Sequence, residues 1–457
     1  MQKVFFVVSV CAFLLCKAVS AQSLKRRATL GVRMSPVNQE FKKKYHYNSN
    51  FGVLLAGINP KGTIGKLGVE EGAVLQKINE HKVTSSKDVF SYLRRIKSGD
   101  KIAFTIFSKQ QVKEYNTTAI GKPLEKHAKA TVHYDMVSYR NNRLRSILYT
   151  PKMIDNPPVI FYLQGYTCQS IEYRNSSPVK KLINNWIDAG FAVYLVEKPG
   201  LGDSESKINC SEINFHQELE AFRYAYQSLY KEKKIDSESI FLFGHSMGGV
   251  IAPLLAKYKQ PKGIMVFGTV GKSWYEYMKN VFREQQMLFS SKKLVEENLK
   301  YNIPFITDLM IHKKSNVEMI QTPLYSEYLK NNNLQKRLAE GYYQNRHYTF
   351  WQSLGAIDVP EAWSKIKTDV YVMHGEFDIQ AIHKKYAQLI VDNVNSNGGK
   401  AVLKVIPKTD HLFLKFNSME ENVQMITNRR EYTNHIRNNY YPLTAKLSIH
   451  WMKKLID

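Results

Sequence analysis

The sequence has few cysteines and no apolar run long enough to cross a membrane. Its 457 residues include only 4 cysteines, which excludes a small scaffold held together by disulfides. The one long apolar stretch, residues 4–15, falls short of the roughly 20 residues that a spanning helix needs, so a multi-span membrane protein is also excluded. A hydrophobic fraction of 44% is ordinary for globular proteins, and the length predicts two or three packed domains.

Acidic residues are scarce relative to basic ones. The chain has 40 Asp and Glu against 65 Lys and Arg, for a net charge of +25. The densest basic tracts, residues 25–27 and 42–44, are too short for a nucleic-acid footprint. We therefore expect no nucleic-acid partner and a dispersed, solvated charge, with weak association to anionic membranes as the alternative.

The amino terminus has the pattern of a secretory signal peptide. Lys3 precedes the apolar stretch, and the small residues 18–21 follow it, as expected for cleavage after Ala21. Leu15 stands before Cys16, where lipoprotein signals have a small residue, so we expect no lipid anchor. The sequence thus predicts a signal peptide over residues 1–21 and a secreted or periplasmic protein.

Residues 28–110 alternate short apolar segments with turn residues. Segments 29–34 and 51–57 are predicted strands, residues 86–96 a helix and residues 101–107 a closing strand. A glycine-bounded turn and a hairpin lie between them. This order of strands, glycine-rich turn and helix resembles the PDZ domains of bacterial envelope proteases.

The resemblance implies a groove that binds peptides by β-augmentation. A peptide carboxylate would bind the backbone N–H groups of Leu30, Gly31 and Val32. Two features depart from the family pattern: Ala73 replaces the usual Asp after Gly72, and a polar insert separates the first two strands. The alternative is a degenerate groove that only packs on the next domain.

Residues 111–130 are polar and predict a linker. From residue 131 onwards strand and helix patterns alternate, which predicts a mainly parallel sheet.

The apolar strand 240–243 leads directly into Gly244-His245-Ser246-Met247-Gly248, which opens a helix of small residues. A G-x-S-x-G motif between a strand and a helix is typical of a nucleophile elbow, which exposes Ser246 above the sheet.

A serine needs a base to act as a nucleophile. Asp378 follows the predicted strand 370–373, and His411 follows the predicted strand 401–406. With its serine, acid and base in this order, the stretch 131–457 resembles the α/β-hydrolase superfamily, in the branch of serine aminopeptidases and prolyl-oligopeptidase-like esterases. The resemblance implies an α/β fold, a Ser246–His411–Asp378 triad, and neither a metal nor an organic cofactor.

Other acids and histidines lie close to these positions in the sequence. Glu376 and Asp410 are rival acids, although Asp378 fits the family's "HG-x-x-D" pattern best. The rival histidines are His374, His245 and His216, each of which we expect to be structural or on the surface.

The resemblance also implies two oxyanion donors. One is the N–H of Met247, directly after the nucleophile, and the other is the N–H of Tyr166, in the loop after strand 159–163. Gln164 replaces the family's usual His in that loop. Residues 197–204 resemble a second family loop, "D-x-R-G-x-G-x-S", which we expect to be a tight turn without a catalytic task.

After removal of the signal peptide two cysteines remain, Cys168 and Cys210. The fold would place both on loops near the catalytic face, where a disulfide could brace the oxyanion loop; two free thiols are the alternative.

About 100 residues separate the strand 264–267 from the strand at 370, so we expect a helical cap over residues 272–366. Its many aromatic side chains would either form an apolar pocket or pack the cap onto the sheet.

Three functions are consistent with these observations. The first is an exported serine hydrolase that cleaves carboxylic esters, with the PDZ-like module binding a peptide or partner. The second is a serine peptidase, because the same machinery cleaves amides and the module could deliver a polypeptide end. The third is a non-catalytic scaffold whose task is peptide binding. The intact order of Ser246, Asp378 and His411 favours an enzyme.

Overall fold

The computed structural model describes residues 24–457, so the predicted signal peptide lies outside the described residues. The N-terminal part forms an antiparallel sheet in the order β1-β2-β3-β5-β6, with β4 paired to β3. Its strands are β1 (Val32–Pro36), β2 (Val53–Ile58), β3 (Val74–Ile78), β4 (His81–Lys82), β5 (Lys101–Ser108) and β6 (Gln111–Thr118). Two helices accompany it, α1 (Gln39–Lys44) and α2 (Ser86–Leu93).

Alternating apolar residues of this sheet and one face of α2 share a core. Val89 and Leu93 of α2 pack with Leu55 and Phe104 of the sheet. Helix α2 begins at a capping box, in which Ser85 and Asp88 satisfy backbone N–H groups at its first turn. The result is the β-rich, PDZ-like module expected from the sequence.

The predicted linker over residues 111–130 is wrong in its first part. Residues 111–118 form β6, which pairs along its whole length with β5. The segment has a polar sequence because β6 lies at the edge of the sheet and most of its side chains are exposed. Residues after β6 then lead to the second sheet.

The second sheet has the order β16-β15-β12-β11-β9-β10-β8-β7 within the described residues. Strands β7 (Ala130–Tyr139) and β8 (Asn142–Pro151) form an antiparallel hairpin, and the remaining strands run parallel to one another. These are β9 (Val159–Leu163), β10 (Ala192–Val196), β11 (Ile240–His245), β12 (Gly263–Phe267), β15 (Asp369–Gly375) and β16 (Lys400–Ile406).

Helices cover both faces of this sheet, which explains why β9, β10, β11 and β12 are buried at every position. Side chains of α3 (Pro178–Asp188) and α16 (Leu443–Ile456) pack on one face. Those of α4 (Phe215–Leu229), α5 (Gly248–Ala256) and α13 (Lys384–Asn395) pack on the other. This topology confirms the predicted α/β-hydrolase fold.

The segment between β12 and β15 is helical, as expected for a cap. It contains α6 (Trp274–Asn280), α7 (Lys292–Met310), α8 (Asn316–Gln321), α9 (Pro323–Asn331), α10 (Leu334–Ala339), the short strands β13 (Tyr342–Tyr343) and β14 (Arg346–His347), α11 (Tyr348–Gly355) and α12 (Val359–Ser364). Two further helices, which the sequence analysis did not identify, follow β16: α14 (Met419–Thr427) and α15 (Arg429–Asn438).

An ionic network joins the N-terminal segment to the α/β part of the chain. The carboxylate of Asp203 pairs with Arg26 and, at 3.2 Å, with Arg145 Nε. Asp203 also accepts a hydrogen bond of 2.8 Å from the backbone N–H of Arg27. Asp203 is only 2% exposed, so its contacts to Arg26 and Arg27 are buried and join the two parts of the chain.

Candidate active site

Ser246 lies on the sharp turn between β11 and α5. Its φ of +55° is in the left-handed region, which non-glycine residues rarely adopt outside strained turns. Glycines on either side allow the close approach: a Cβ on Gly244 would lie 2.6 Å from the Gly248 carbonyl oxygen, and one on Gly248 would lie 2.1 Å from that of Leu163. The turn therefore presents Ser246 above the carboxyl end of the sheet.

His411 and Asp378 are hydrogen-bonded to each other. Nδ1 of His411 lies 2.9 and 3.0 Å from the two carboxylate oxygens of Asp378, which is fully buried. Burial alone would raise the pKa of Asp378, but His411 holds it below its usual value. Burial would likewise lower the pKa of His411, but Asp378 raises it above the usual value. The carboxylate thus orients the imidazole so that Nε2 is its free nitrogen.

Ser246 and His411 line one cavity of about 430 Å³. The hydroxyl of Ser246 forms no hydrogen bond to any residue between 24 and 457, so the serine and the imidazole share the cavity without being bonded to each other. Catalytic hydrogen bonds often form only when substrate is bound.

The rival acids have other partners. Asp410 accepts hydrogen bonds of 2.8 Å from the N–H groups of Leu412 and Leu414, and its burial raises its pKa to about 7. Glu376 accepts one of 2.7 Å from the N–H of Lys408. Both carboxyl groups therefore hold the loop that carries His411.

The rival histidines also have structural surroundings. His245 Nε2 lies 2.9 Å from the carbonyl oxygen of His411, and burial together with the neighbouring His411 lowers the pKa of His245 to about 3. His374 is buried in β15, and His216 is exposed on α4. A neutral His245 supports the backbone of the His411 loop.

The expected oxyanion donors lie beside the serine. Within the described part of the chain, the N–H groups of Met247 and Tyr166 have no hydrogen-bond partner. Tyr166 follows Gly165, where an added Cβ would lie 3.1 Å from Ser246 Cβ. A site that stabilises a transient oxyanion needs N–H groups that are free of other hydrogen-bond partners.

Two contacts hold the loop that carries Tyr166. Cys168 forms a disulfide with Cys210, 42 residues further along the chain. The Tyr166 hydroxyl donates to the carbonyl oxygen of Gln344, between the two short strands of the cap. The loop that carries Tyr166 is thus connected to both the α/β core and the cap.

The lining of the cavity is neutral. Tyr162, Tyr173, Gln380 and Ile436 contribute to it, and the lining set contains no Asp, Glu, Lys or Arg. The cap aromatics that the sequence analysis considered for a pocket are absent from this lining, and Phe350 and Trp351 instead pack in the core. Sequence reasoning missed Ile436, because α15 is highly charged and gave no sign that it covers the site.

A second, larger cavity of about 840 Å³ lies between β1, α2 and the loop that carries Asp203. Leu30, Gly31 and Val32 line it together, as expected for the PDZ-like groove. Within residues 24–457, the N–H groups of Leu30 and Gly31 have no hydrogen-bond partner. Arg27 and Arg94 also line the cavity.

Residues 24–457 contain neither a candidate metal site nor a candidate membrane span. No group of three or more His, Cys, Asp and Glu side chains there could hold a metal ion. None of the helices in that part is both long enough and apolar enough to cross a membrane.

Comparison with protein families gives one match that covers more than half of the chain. The family model described as "Serine aminopeptidase, S33" matches residues 174–418, the stretch that contains Ser246, Asp378 and His411.

Curated proteins match over a shorter stretch. The chain is 26% identical over 114 residues to proteins described as "Probable periplasmic serine endoprotease DegP-like" from Brucella suis and Brucella abortus. The match covers 24% of this chain and 22% of each relative, so the chain spans less than a quarter of their length.

Solved structures match at low identity. Est1E from Butyrivibrio proteoclasticus is 13% identical with a TM-score of 0.40, and the match covers 66% of this chain and 98% of Est1E. A thermostable carboxyl esterase from Bacillus coagulans is 17% identical with a TM-score of 0.41, covering 72% and 100%. A putative dipeptidyl aminopeptidase IV from Bacteroides ovatus is 14% identical with a TM-score of 0.40, covering 75% and 41%.

Proposed function

The chain belongs to the serine aminopeptidase S33 family, and from that premise we propose that it is an exported serine hydrolase that cleaves neutral carboxylic esters through an acyl-enzyme on Ser246. The observation that carries the proposal is the single cavity that Ser246 and His411 share, with Asp378 paired to His411 at 2.9 Å.

The chemistry follows from the positions of these groups. Ser246 Oγ attacks the ester carbonyl carbon while His411 Nε2 takes the hydroxyl proton. Asp378 stabilises the imidazolium that forms. His411 then protonates the departing alcohol, which leaves an acyl group on Ser246. Water, activated by the same imidazole, attacks this acyl group and releases the acid.

The oxyanion of each tetrahedral intermediate would bind the N–H groups of Met247 and Tyr166. Donors of this kind contribute roughly 3–4 kcal/mol each to the lowering of the barrier. Neither N–H group has a partner within the described residues, which supports this assignment.

The neutral lining of the cavity favours an ester over a peptide with a free amino terminus. Recognition of an α-ammonium group usually requires a carboxylate or several acceptors, since a buried unpaired charge is costly. Asp378 already pairs with His411, and the lining contributes no further acid. The tyrosine hydroxyls and Gln380 fit a neutral acyl or aryl group with polar substituents.

A peptidase is the alternative within the same mechanism. The observation in its favour is the second cavity, which would bind the carboxyl end of a polypeptide at Leu30, Gly31 and Val32 through backbone N–H groups. In our proposal that groove binds a peptide or partner and takes no part in the chemistry.

The test is a comparison of p-nitrophenyl esters with aminoacyl p-nitroanilides on the purified chain. We expect turnover of the esters, a loss of at least about 10³-fold in kcat for Ser246→Ala, and labelling of the wild type, but not of this variant, by a fluorophosphonate. Ser396→Ala, at an exposed serine of the same domain, is the control and should behave as wild type.

Two outcomes would contradict the proposal. Amide turnover with negligible ester turnover would assign the chain to the peptidases. No labelling of Ser246 by the fluorophosphonate would favour the non-catalytic scaffold.

A further inference from the structure

A fully buried ionic cluster lies behind the oxyanion loop. Lys198 Nζ is 2.7 Å from Glu218 Oε1, and Arg346 Nη2 is 2.5 Å from Glu218 Oε2. The side chains of Lys198 and Glu218 are 0% exposed and that of Arg346 is 1% exposed. The three residues come from separate elements: the loop after β10, helix α4 and strand β14 of the cap.

Both cations of the cluster also bind carbonyl groups of the oxyanion loop. Lys198 Nζ donates to the carbonyl oxygen of Gly165 at 2.6 Å. Arg346 Nη1 donates to the carbonyl oxygen of Tyr166 at 3.1 Å and lies 3.4 Å from Cys168 Sγ. Two consecutive carbonyl groups of the loop are therefore held from the side of this cluster.

The geometry of the peptide bond connects these contacts to the proposed oxyanion hole. In a trans peptide the C=O of one residue and the N–H of the next point in opposite directions within one plane. The chain has no cis peptide bond in its described part. A lysine that binds the Gly165 carbonyl therefore directs the Tyr166 N–H away from the cluster. Gly165 itself lies against Ser246.

The cluster is hard to explain as a device for stability. Buried ion pairs seldom stabilise a fold more than apolar side chains of the same size would, because removing the charges from water is costly. Burial lowers the pKa of Lys198 to about 8 even though Glu218 is adjacent. A cost of this kind is more easily understood where the charges hold a functional segment in place.

We propose that Lys198 and Arg346 are positioning residues that hold the Gly165–Tyr166 segment so that the Tyr166 N–H faces the oxyanion formed at Ser246. The inference rests on the proposed hydrolase function. It gives the loop of residues 197–204 a task in the reaction, where the sequence analysis expects only a tight turn. It also makes the cap, through Arg346, part of the oxyanion site.

The test compares two variants that differ only in the lysine. Glu218→Gln removes the central carboxylate and keeps Lys198 beside Gly165. The double variant Lys198→Met with Glu218→Gln loses one positive and one negative charge, so the net charge of the cluster equals that of the wild type. It leaves no unpaired carboxylate. It differs from the single variant in the positive charge of Lys198 and in the hydrogen bond from Lys198 to Gly165.

We expect the double variant to have a kcat roughly 10²-fold below that of Glu218→Gln, similar to the loss of one oxyanion donor, with KM changed by less than about twofold. A matched control is Lys180→Met with Glu125→Gln, a largely buried pair at 2.5 Å whose lysine also donates a hydrogen bond to Tyr149. It should lower the melting temperature comparably and leave kcat at the wild-type value.

The inference would be overturned if Glu218→Gln and the double variant had the same kcat. It would also be overturned if the Lys180 control lost kcat to the same extent as the double variant. If the double variant does not fold, Arg346→Lys serves instead, because it keeps a positive charge near Glu218 but shortens the reach to Tyr166. A lower kcat at unchanged KM is then expected, and a wild-type kcat would overturn the inference. Ser246→Ala separates the two proposals. Full ester turnover in Ser246→Ala would refute the hydrolase function itself. Wild-type turnover in the Lys198 and Arg346 variants, with Ser246→Ala inactive, would refute only the positioning role.

Discussion

At the level of single residues, the proposed mechanism requires a neutral His411, because this imidazole would accept the proton of Ser246. Asp378 binds its Nδ1 at 2.9 Å and raises the pKa of the imidazole above the ordinary 6.5, against the lowering effect of burial. The fraction of neutral base therefore increases with pH through a midpoint above 6.5.

This arrangement predicts the pH dependence of the reaction. We expect kcat/KM for a p-nitrophenyl ester to rise with pH through an acid limb whose midpoint lies above 6.5. Asp378→Asn should move the midpoint to lower pH, because the carboxylate that favours the imidazolium is lost, and should lower kcat by about 10⁴-fold. The measurement is the pH–rate profile of the wild type and the variant.

Asp410→Asn is the control for this prediction, because Asp410 is the rival acid next to His411 in sequence. Its carboxyl group binds the N–H groups of Leu412 and Leu414, so the variant should keep kcat within about tenfold of the wild type. Loss of activity in Asp410→Asn but not in Asp378→Asn would assign the acid to Asp410.

Among the secondary-structure elements and their loops, the disulfide between Cys168 and Cys210 joins the loop that carries Tyr166 to the loop before α4. Closing a loop of 42 residues removes conformational freedom from the unfolded chain. The same link limits the motion of the segment that carries Tyr166, two residues before Cys168.

Reduction of this disulfide should therefore lower both stability and activity. We expect the free energy of unfolding to fall by about 2–4 kcal/mol and kcat for ester hydrolysis to fall with it. The measurement is denaturant unfolding and ester turnover with and without a phosphine reductant. The double variant Cys168→Ser with Cys210→Ser is the control and should not respond to the reductant. Alkylation of both thiols in the unreduced protein would contradict the disulfide.

Sequence patterns identified the strands and helices whose apolar residues form a continuous run or recur at a regular spacing. The buried runs of β9 and β11 and the amphipathic face of α2 are examples. Strand β6 escaped detection because its residues are polar and exposed at a sheet edge, so nothing in them distinguishes a strand from a linker. Helix α15 escaped for a similar reason: it contains no buried residue.

At the scale of the whole molecule, the PDZ-like groove is closed partly by the α/β domain. The loop residues Leu201 and Asp203 line the same cavity as Leu30 and Gly31 of the module. Asp203 forms ion pairs with Arg26 and Arg145, so its negative charge is balanced. The lining contains Arg27, Arg33, Arg94 and Lys122 against Glu172 and Asp203, so its charged side chains are in net positive excess.

A groove of this kind should prefer a free carboxylate. We expect a labelled peptide with an apolar last residue to bind at least about tenfold more tightly than the same peptide as a C-terminal amide, as measured by fluorescence anisotropy. Phe90→Ala should weaken binding several-fold, because Phe90 lines the cavity while being 59% exposed. The control is Val112→Ala, at a residue that is 57% exposed on β6 and absent from the cavity lining.

Equal binding of the acid and the amide would remove the carboxylate site from the proposal. Binding of neither peptide would support the other interpretation of the sequence, in which the groove is degenerate and only packs on the neighbouring domain.

The α/β-hydrolase fold, the PDZ-like module and the positions of the candidate serine, acid and base could be predicted from the sequence. They could be predicted because strand and helix periods and the glycines around Ser246 are local properties of the chain. Which groups meet across long separations depends on how the folded chain packs. Lys198, Glu218 and Arg346 carry no local sign of a shared task, and only packing brings their charges together behind Gly165. The neutral lining of the cavity has the same origin, since its residues come from loops and helices far apart in the sequence.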